Sequence, residues 1–291
     1  MKVIDILKED KLSLSFEVFP PKTSTNFESV RRATEEIAEL HPAFMSVTYG
    51  AGGGTSSYTL EIARDMEQHG VPTLAHLTCV SSDRATVHQR IAELQAAGIE
   101  NIMALRGDLT PEMEGQNRST WDYRYAVDLV REIRQSGGNF CIGGACYPEV
   151  HPESANQKED IQHLKEKVEA GVDFLTTQMF FDNNLLYNFL YKIREAGITV
   201  PVVAGIMPIT NAKQVEKAIK LSGSHMPQRF KSLVDKFGSD PAAMKQAGIA
   251  YATDQIIDLF ANNVTNVHVY TMNKPDVARQ IQQNLSDILG K

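Results

Sequence analysis

Asp83-Arg-Ala-Thr-Val-His-Gln-Arg-Ile-Ala-Glu-Leu-Gln-Ala-Ala-Gly-Ile-Glu-Asn-Ile-Met-Ala-Leu105 contains one full repeat of the architecture. Its first part, Asp83 to Ala97, spaces Val87, Ile91 and Leu94 four and three residues apart, the interval of one helix face. Gly98 then offers the left-handed backbone that closes a helix. Asn101 to Leu105 follows as an apolar run too short for a core helix and suited to a buried strand. Working outward, the same alternation recurs along the chain. Candidate strands are Ser13 to Val18, Phe44 to Thr48, Pro72 to His76, Asn101 to Leu105, Phe140 to Cys146, Phe174 to Gln178, Pro201 to Ala204 and Val267 to Tyr270. The helical stretches after them are Asn26 to Leu40, Ser57 to His69, Asp83 to Ala97, Asp122 to Gln135, Asn156 to Ala170, Asn183 to Ala196, Ala212 to Leu221 and Pro275 to Leu289. Gly70, Gly98, Gly171 and Gly197 stand as caps. Eight βα units predict an α/β fold, a (β/α)8 TIM barrel in a single domain over residues 1–291, with an open doubly wound sheet as the alternative. The seventh unit is enlarged by Met226 to Phe260, which carries helical stretches Pro227 to Phe237 and Asp240 to Phe260.

Composition agrees with an ordinary soluble globular protein of 291 residues, 42% of them hydrophobic and 22% charged. Lys and Arg number 29 against 36 Asp and Glu, and the formal charge of -7 gives no broad attraction for nucleic acid. The start, Met1 to Asp10, mixes charge with apolar residues and lacks a secretory pattern, and no run is long enough to span a bilayer. Cys79, Cys141 and Cys146 have no Cys-x-x-Cys spacing, so neither a disulfide framework nor a metal site is expected, and the expected compartment is a reducing cytoplasm.

In a barrel the chemistry gathers at the carboxyl ends of the strands. There the chain places Glu17 before Pro20-Pro21, the glycine run Gly50 to Gly54 after Tyr49, His76, Arg106-Gly107-Asp108, Tyr147 and His151, and Gln178. Glu17 among apolar neighbours suits a general acid, because desolvation raises a carboxyl pKa; a Glu paired to a buried cation is the equal alternative. Arg106 with Asp108 could equally be a local ion pair, and Tyr147 rim packing. The glycine run is neither a Walker loop nor a dinucleotide fingerprint. His76, His151, Asp108 and Glu17 have no metal-ligand spacing, and an organic cofactor fits better.

Phe16-Glu17-Val18-Phe19-Pro20-Pro21, Val47-Thr48-Tyr49-Gly50-Ala51, His76-Leu77-Thr78-Cys79, Ala104-Leu105-Arg106-Gly107-Asp108, Tyr147-Pro148-Glu149-Val150-His151-Pro152 and Thr177-Gln178-Met179-Phe180-Phe181-Asp182 together closely resemble the methylenetetrahydrofolate reductases of bacterial type. The resemblance implies a (β/α)8 barrel holding FAD tightly and non-covalently. It implies reduction of 5,10-methylenetetrahydrofolate to 5-methyltetrahydrofolate by ping-pong hydride transfer, with NADH as the expected electron donor, feeding methionine synthesis and one-carbon metabolism. By the same match Glu17 is the general acid toward the folate's bridging nitrogen, and Asp108 sits beside flavin and pterin, tuning the flavin potential. Tyr49, Ala51, His76, Arg106, Gly107, Asp108, Tyr125, Ala126, Ala145, Tyr147, His151, Ser154, Asp160, His163 and Lys167 match cofactor-contacting positions. Arg106, His151 and Lys167 carry donors or charge appropriate to a diphosphate.

Thr48 matches the nicotinamide site. Glu17, Asp108, Tyr147, Gln178, Gln214 and Lys274 match substrate-contacting positions, Lys274 replacing a frequent arginine and so lacking its planar fork. The resemblance further implies small-molecule partners, a homo-oligomer, and in some short members an iron-sulfur partner subunit. The chain ends soon after the eighth helix, so no regulatory domain is expected. Two rivals remain at this level: a flavin barrel of the proline dehydrogenase kind, and a pterin-binding methyltransferase barrel without flavin.

Overall fold

The computed structural model describes residues 1–21, 23–49, 56–80, 82–109, 113 and 116–290. Eight parallel strands, β1 (Ser13–Val18), β2 (Met45–Val47), β3 (Thr73–Thr78), β4 (Asn101–Leu105), β5 (Cys141–Cys146), β6 (Phe174–Thr177), β7 (Val202–Ile206) and β8 (Asn266–Tyr270), pair in chain order. β8 bonds back to β1, which closes the barrel and excludes the open sheet. The register sets Glu17 beside Ser46 on one side and Tyr270 on the other, and Ser15 beside His268.

The helices α2 (Phe27–Ala38), α3 (Ser56–Gln68), α4 (Arg84–Ala96), α5 (Ala126–Gln135), α6 (Gln157–Glu169), α7 (Asn183–Glu195) and α8 (Lys213–Ser222) follow the first seven strands in turn. α9 (Gln228–Phe237) and α10 (Pro241–Ala261) form the enlargement, and α11 (Pro275–Asn284) with α12 (Ser286–Leu289) follows β8. Gly98 has φ 76° and Gly197 φ 86°, the left-handed closure expected of them. Two helix boundaries differ from the sequence reading by more than two residues. α5 starts at Ala126 rather than Asp122, because the Asp128 carboxylate accepts from the backbone N–H of Arg124 at 3.0 Å and Tyr125 at 3.1 Å, fixing the cap there. The last helix breaks at Leu285, whose side chain is fully buried.

The strands bury both faces. Outward residues such as Val18, Val47, Ala104 and Val269 pack under Ile37, Ile62, Ile91, Ile133 and Ile281 of the surrounding helices. Each such burial is worth about 1.5–3 kcal/mol. Inside, the amino-terminal half of the barrel is filled by Phe44, Leu74, Met103, Cys141, Phe174 and Val203. A short helix absent from the sequence reading, α1 (Val3–Leu7), closes that end with Val3 and Leu7. Five residues are too few to stand alone as a helix; Asn101 holds them, accepting from the Val3 N–H at 2.7 Å and donating to the Met1 carbonyl at 3.1 Å. The enlargement has its own apolar cluster of Phe181, Ile209, Met226, Phe230, Met244 and Tyr251. Asp240 caps α10 by accepting from Ala242 N at 2.9 Å.

Candidate functional site

Above the apolar plug the barrel interior turns polar. Ser15 and Glu17 of β1, Ser46 of β2, His76 of β3 and His268 of β8 are all buried. His268 lies flat on Phe44, ring centroids 5.3 Å apart and 9° from parallel, which makes Phe44 the floor of the polar layer. Its Nδ1 is 2.7 Å from Ser15 Oγ, and its Nε2 is 2.9 Å from Ser46 Oγ. Ser46 Oγ in turn lies 3.5 Å from Glu17 Oε2, and His76 Nε2 lies 3.6 Å from the same oxygen.

Burial decides the charges here. It pushes the Glu17 carboxyl up to about 8, a rise that the Ser46 hydroxyl only partly opposes. It pushes His76 down to about 4, and together with His76 it pushes His268 down to about 3. All three are therefore neutral at pH 7, and the approach of His76 to Glu17 is a contact of neutral groups rather than an ion pair. Donor counting orders the chain: Ser15 gives its proton to the Val267 carbonyl at 3.0 Å, so it accepts from His268 Nδ1–H. Nε2 then accepts from the Ser46 hydroxyl, which also points as a donor toward Glu17 Oε2 at 3.5 Å. No buried Lys or Arg stands against the Glu17 carboxyl among the described contacts, and burial keeps it protonated. Thr271 Oγ1 donates to the Glu17 carbonyl at 2.7 Å, and Asn273 ties Phe19 by two hydrogen bonds, so β1 and the turn after β8 hold the acid from behind.

Around this centre stand the other residues of the mouth. Tyr270 OH donates to the Thr177 carbonyl at 2.5 Å, crossing Gly205, where a Cβ would have no room. Gln178 Oε1 accepts from Met179 N–H at 2.9 Å, and its amide lies against Tyr147, whose phenol is raised by burial and partly lowered by that amide. Tyr147 meets the His151 ring edge-on at 4.6 Å. Between them Val150 has φ 85°, a strained value for a β-branched residue, costing about 1–3 kcal/mol. Glu149 secures this loop to the enlargement by accepting from His225 N–H at 2.7 Å.

On the β4 and β5 side, Gly107 has φ 90° and a Cβ there would lie 2.9 Å from Thr78 Cβ, so only glycine fits. Arg106 does not pair with Asp108, which is exposed at the rim; its Nη1 donates to Glu153 Oε2 at 2.6 Å. Asp160 accepts from His151 N–H at 3.2 Å and from Ser154 Oγ at 3.3 Å. Lys167 Nζ donates to the Ala145 carbonyl, and burial lowers its pKa. On the opposite side Lys274 Nζ donates to Thr210 Oγ1 at 2.7 Å, while Thr210 N–H donates to Gln214 Oε1 at 3.0 Å.

The structure thus gathers Glu17, His76, Tyr147 and Gln178 at one mouth, and links Gln214 to Lys274 through Thr210. Thr48 and Tyr49 follow β2 and are half-buried, Ala126 opens α5 beside an exposed Tyr125, and His163 is exposed on α6. Ala51 lies outside the described residues. Sequence reading missed Ser15, Ser46, His268 and Tyr270, whose only signal was polar residues alternating with apolar ones in β1 and β8. Among the described residues no three His, Cys, Asp or Glu side chains form a metal-ligand set, and no helix is long and apolar enough to cross a membrane.

Fold and mouth define a (β/α)8 barrel enzyme with a protonated carboxyl at its catalytic end. Residues 2–286 match the family model of methylenetetrahydrofolate reductase, and the chain belongs to that family. It is 34% identical over 278 residues to a 5,10-methylenetetrahydrofolate reductase of Pectobacterium carotovorum, covering 95% of this chain and 91% of that one. It is 33% identical over 300 residues to methylenetetrahydrofolate reductase (NADH) 1 of Arabidopsis thaliana, covering 98% of this chain. The chain spans about half the length of that plant relative, 51%. Among solved structures, a Clostridium thermocellum protein described as binding two copies of 5-methyl-5,6,7,8-tetrahydrofolic acid superposes with TM-score 0.66 at 12% identity, covering 98% of each chain. At that identity the likeness speaks for the fold alone.

Proposed function

We propose that this chain reduces 5,10-methylenetetrahydrofolate to 5-methyltetrahydrofolate, with FAD in the barrel mouth and NADH as electron donor. The observation that carries the reading is Glu17, a buried carboxyl with pKa raised to about 8, at the mouth of a barrel of this family. The NADH named for the Arabidopsis thaliana relative supports the donor.

The donor set fits a dinucleotide. Arg106 and His151 flank the loops after β4 and β5, Gly107 brings bare backbone to the same rim, and Lys167 is a half-buried cation bonded only to a carbonyl among its described contacts. Arg106, Lys167 and His151 would hold the diphosphate, with Asp160 and Ser154 fixing the loop. FAD, when bound, supplies hydride acceptance from NADH and hydride donation to the folate, in ping-pong order.

The chain's own part is binding and proton delivery. Glu17 gives its proton to the bridging nitrogen of the folate, which opens the five-membered ring to an electrophilic iminium. His76 and the Ser46–His268–Ser15 row keep the acid oriented, and burial keeps it uncharged. Gln178 reads the pterin edge with an amide that both donates and accepts. Asp108 adds negative charge at the rim, and Lys274 with Gln214 receives the folate's distal part.

The test is the visible spectrum of the purified chain, followed by anaerobic NADH. Flavin bands that bleach with NADH and return with methylenetetrahydrofolate are the expected outcome. Flavin that NADH leaves oxidised would replace NADH by a partner subunit as donor, and a chain that takes up no FAD would refute the reading.

A further inference from the structure

Arg118 and Glu153, which the reading above leaves unused, meet Arg106 beside the mouth. Arg118 opens a short 3-10 turn, Arg118–Thr120, in the loop between β4 and α5. It reaches the same carboxylate as Arg106. Arg118 Nη1 lies 3.1 Å from Glu153 Oε2, and Arg118 Nη2 lies 3.4 Å from Oε1. With Arg106 Nη1 at 2.6 Å, one carboxylate is gripped by two guanidinium groups. The Trp121 ring supports Arg118 from behind, 5.9 Å from its guanidinium carbon.

Glu153 itself lies in the loop after β5, between His151 and Ser154. Its N–H donates to His151 Nδ1 at 3.1 Å. Two guanidiniums held this close repel each other unless an anion lies between them. One carboxylate neutralises only half of their charge. A diphosphate carries two charges and offers planar acceptor pairs to both forks, the geometry that guanidinium groups recognise best.

We propose that Arg118 joins Arg106 at the diphosphate, and that Glu153 is an internal carboxylate occupying the two guanidiniums until a dinucleotide displaces it. The inference rests on the FAD reading above. FAD then competes with Glu153, and the loop after β5 changes partners when the cofactor enters. The two arginines remain ordered in the interval, which spares the incoming ligand the cost of organising them. The Arg106 and Arg118 guanidiniums hold Glu153 ionised, its pKa drawn down to about 2, so the competition persists at any working pH.

The test is titration of the flavin-stripped full-length chain with FAD, read by quenching of flavin fluorescence, with circular dichroism to check folding. Glu153→Gln should tighten FAD binding about tenfold, and Arg118→Met should weaken it about tenfold. The double variant should lose most of the gain. Tighter binding is the discriminating result, since a carboxylate that merely orients Arg106 would leave Glu153→Gln binding FAD more weakly. That weakening, or unchanged affinity in both single variants while the native chain binds FAD, would overturn the inference alone. A native chain that takes up no FAD would overturn the FAD reading, and this inference with it.

Discussion

Replacing Glu17 by Gln keeps the shape of the side chain and removes its titration. Burial raises the carboxyl from its usual 4.5 to about 8. Each pKa unit corresponds to about 1.4 kcal/mol, so the full displacement is roughly 5 kcal/mol. The sign follows from proton counting. Below pH 4.5 both folded and unfolded chains carry the proton, and the group's contribution is fully present. Between 4.5 and 8 the folded chain keeps a proton that the unfolded chain has released, so stability falls as pH rises, by about 1.4 kcal/mol per unit. Above about 8 both states are ionised and the slope vanishes. Urea denaturation of the native chain and Glu17→Gln at pH 6, 7 and 8 measures this directly: the native chain should lose roughly 3 kcal/mol relative to the variant between pH 6 and 8. In the same variant NADH should still bleach the flavin while folate no longer restores it. The native folate step should slow above about pH 8. Parallel stability profiles for the two proteins would refute the protonated-acid argument, and equal loss of both half-reactions would remove Glu17 from proton delivery.

Gln178→Ala should weaken folate binding about tenfold with FAD binding little changed, since the amide meets Tyr147 and makes no described contact with Arg106, His151 or Lys167; a folate titration with undiminished affinity would take Gln178 out of the pterin site. Leu7→Ala should cost about 2–5 kcal/mol in chemical denaturation, because the side chain is one of the two that α1 buries in the closed end of the barrel. A loss below about 1 kcal/mol would mean that α1 does not anchor that end.

Strands and helices were legible because each obeys a local rule. The run after Gly98 is apolar throughout, and Val87, Ile91 and Leu94 repeat at helical spacing, so β4 and α4 needed no tertiary information. α1 was not legible, since its five residues carry no periodicity and are held by Asn101, 98 residues away from Val3. Glu17 could be singled out as an acidic residue in an apolar strand, but whether it was paired or protonated depended on what β2, β3 and β8 set against it. His268 and Ser46 are 222 residues apart, and only barrel closure brings them together. Arg106 illustrates the converse: its sequence neighbour Asp108 was a plausible partner, yet the chain turns at Gly107 and the guanidinium reaches Glu153 instead.

The plug formed by α1 and the ring of Phe44, Leu74, Met103, Cys141, Phe174 and Val203 makes the barrel a vessel with one opening. The row from Glu17 through Ser46 and His268 ends at the Val267 carbonyl, directly above that apolar floor, and has no outlet below. Any proton that Glu17 gives away must therefore be replaced through the same mouth that admits the substrate. On the proposed function, a folate that covers the opening would leave the acid a single proton, reloaded only after the product has left. Turnover and proton supply would then be locked in step by the closed end of the barrel, on the side of the molecule farthest from the chemistry.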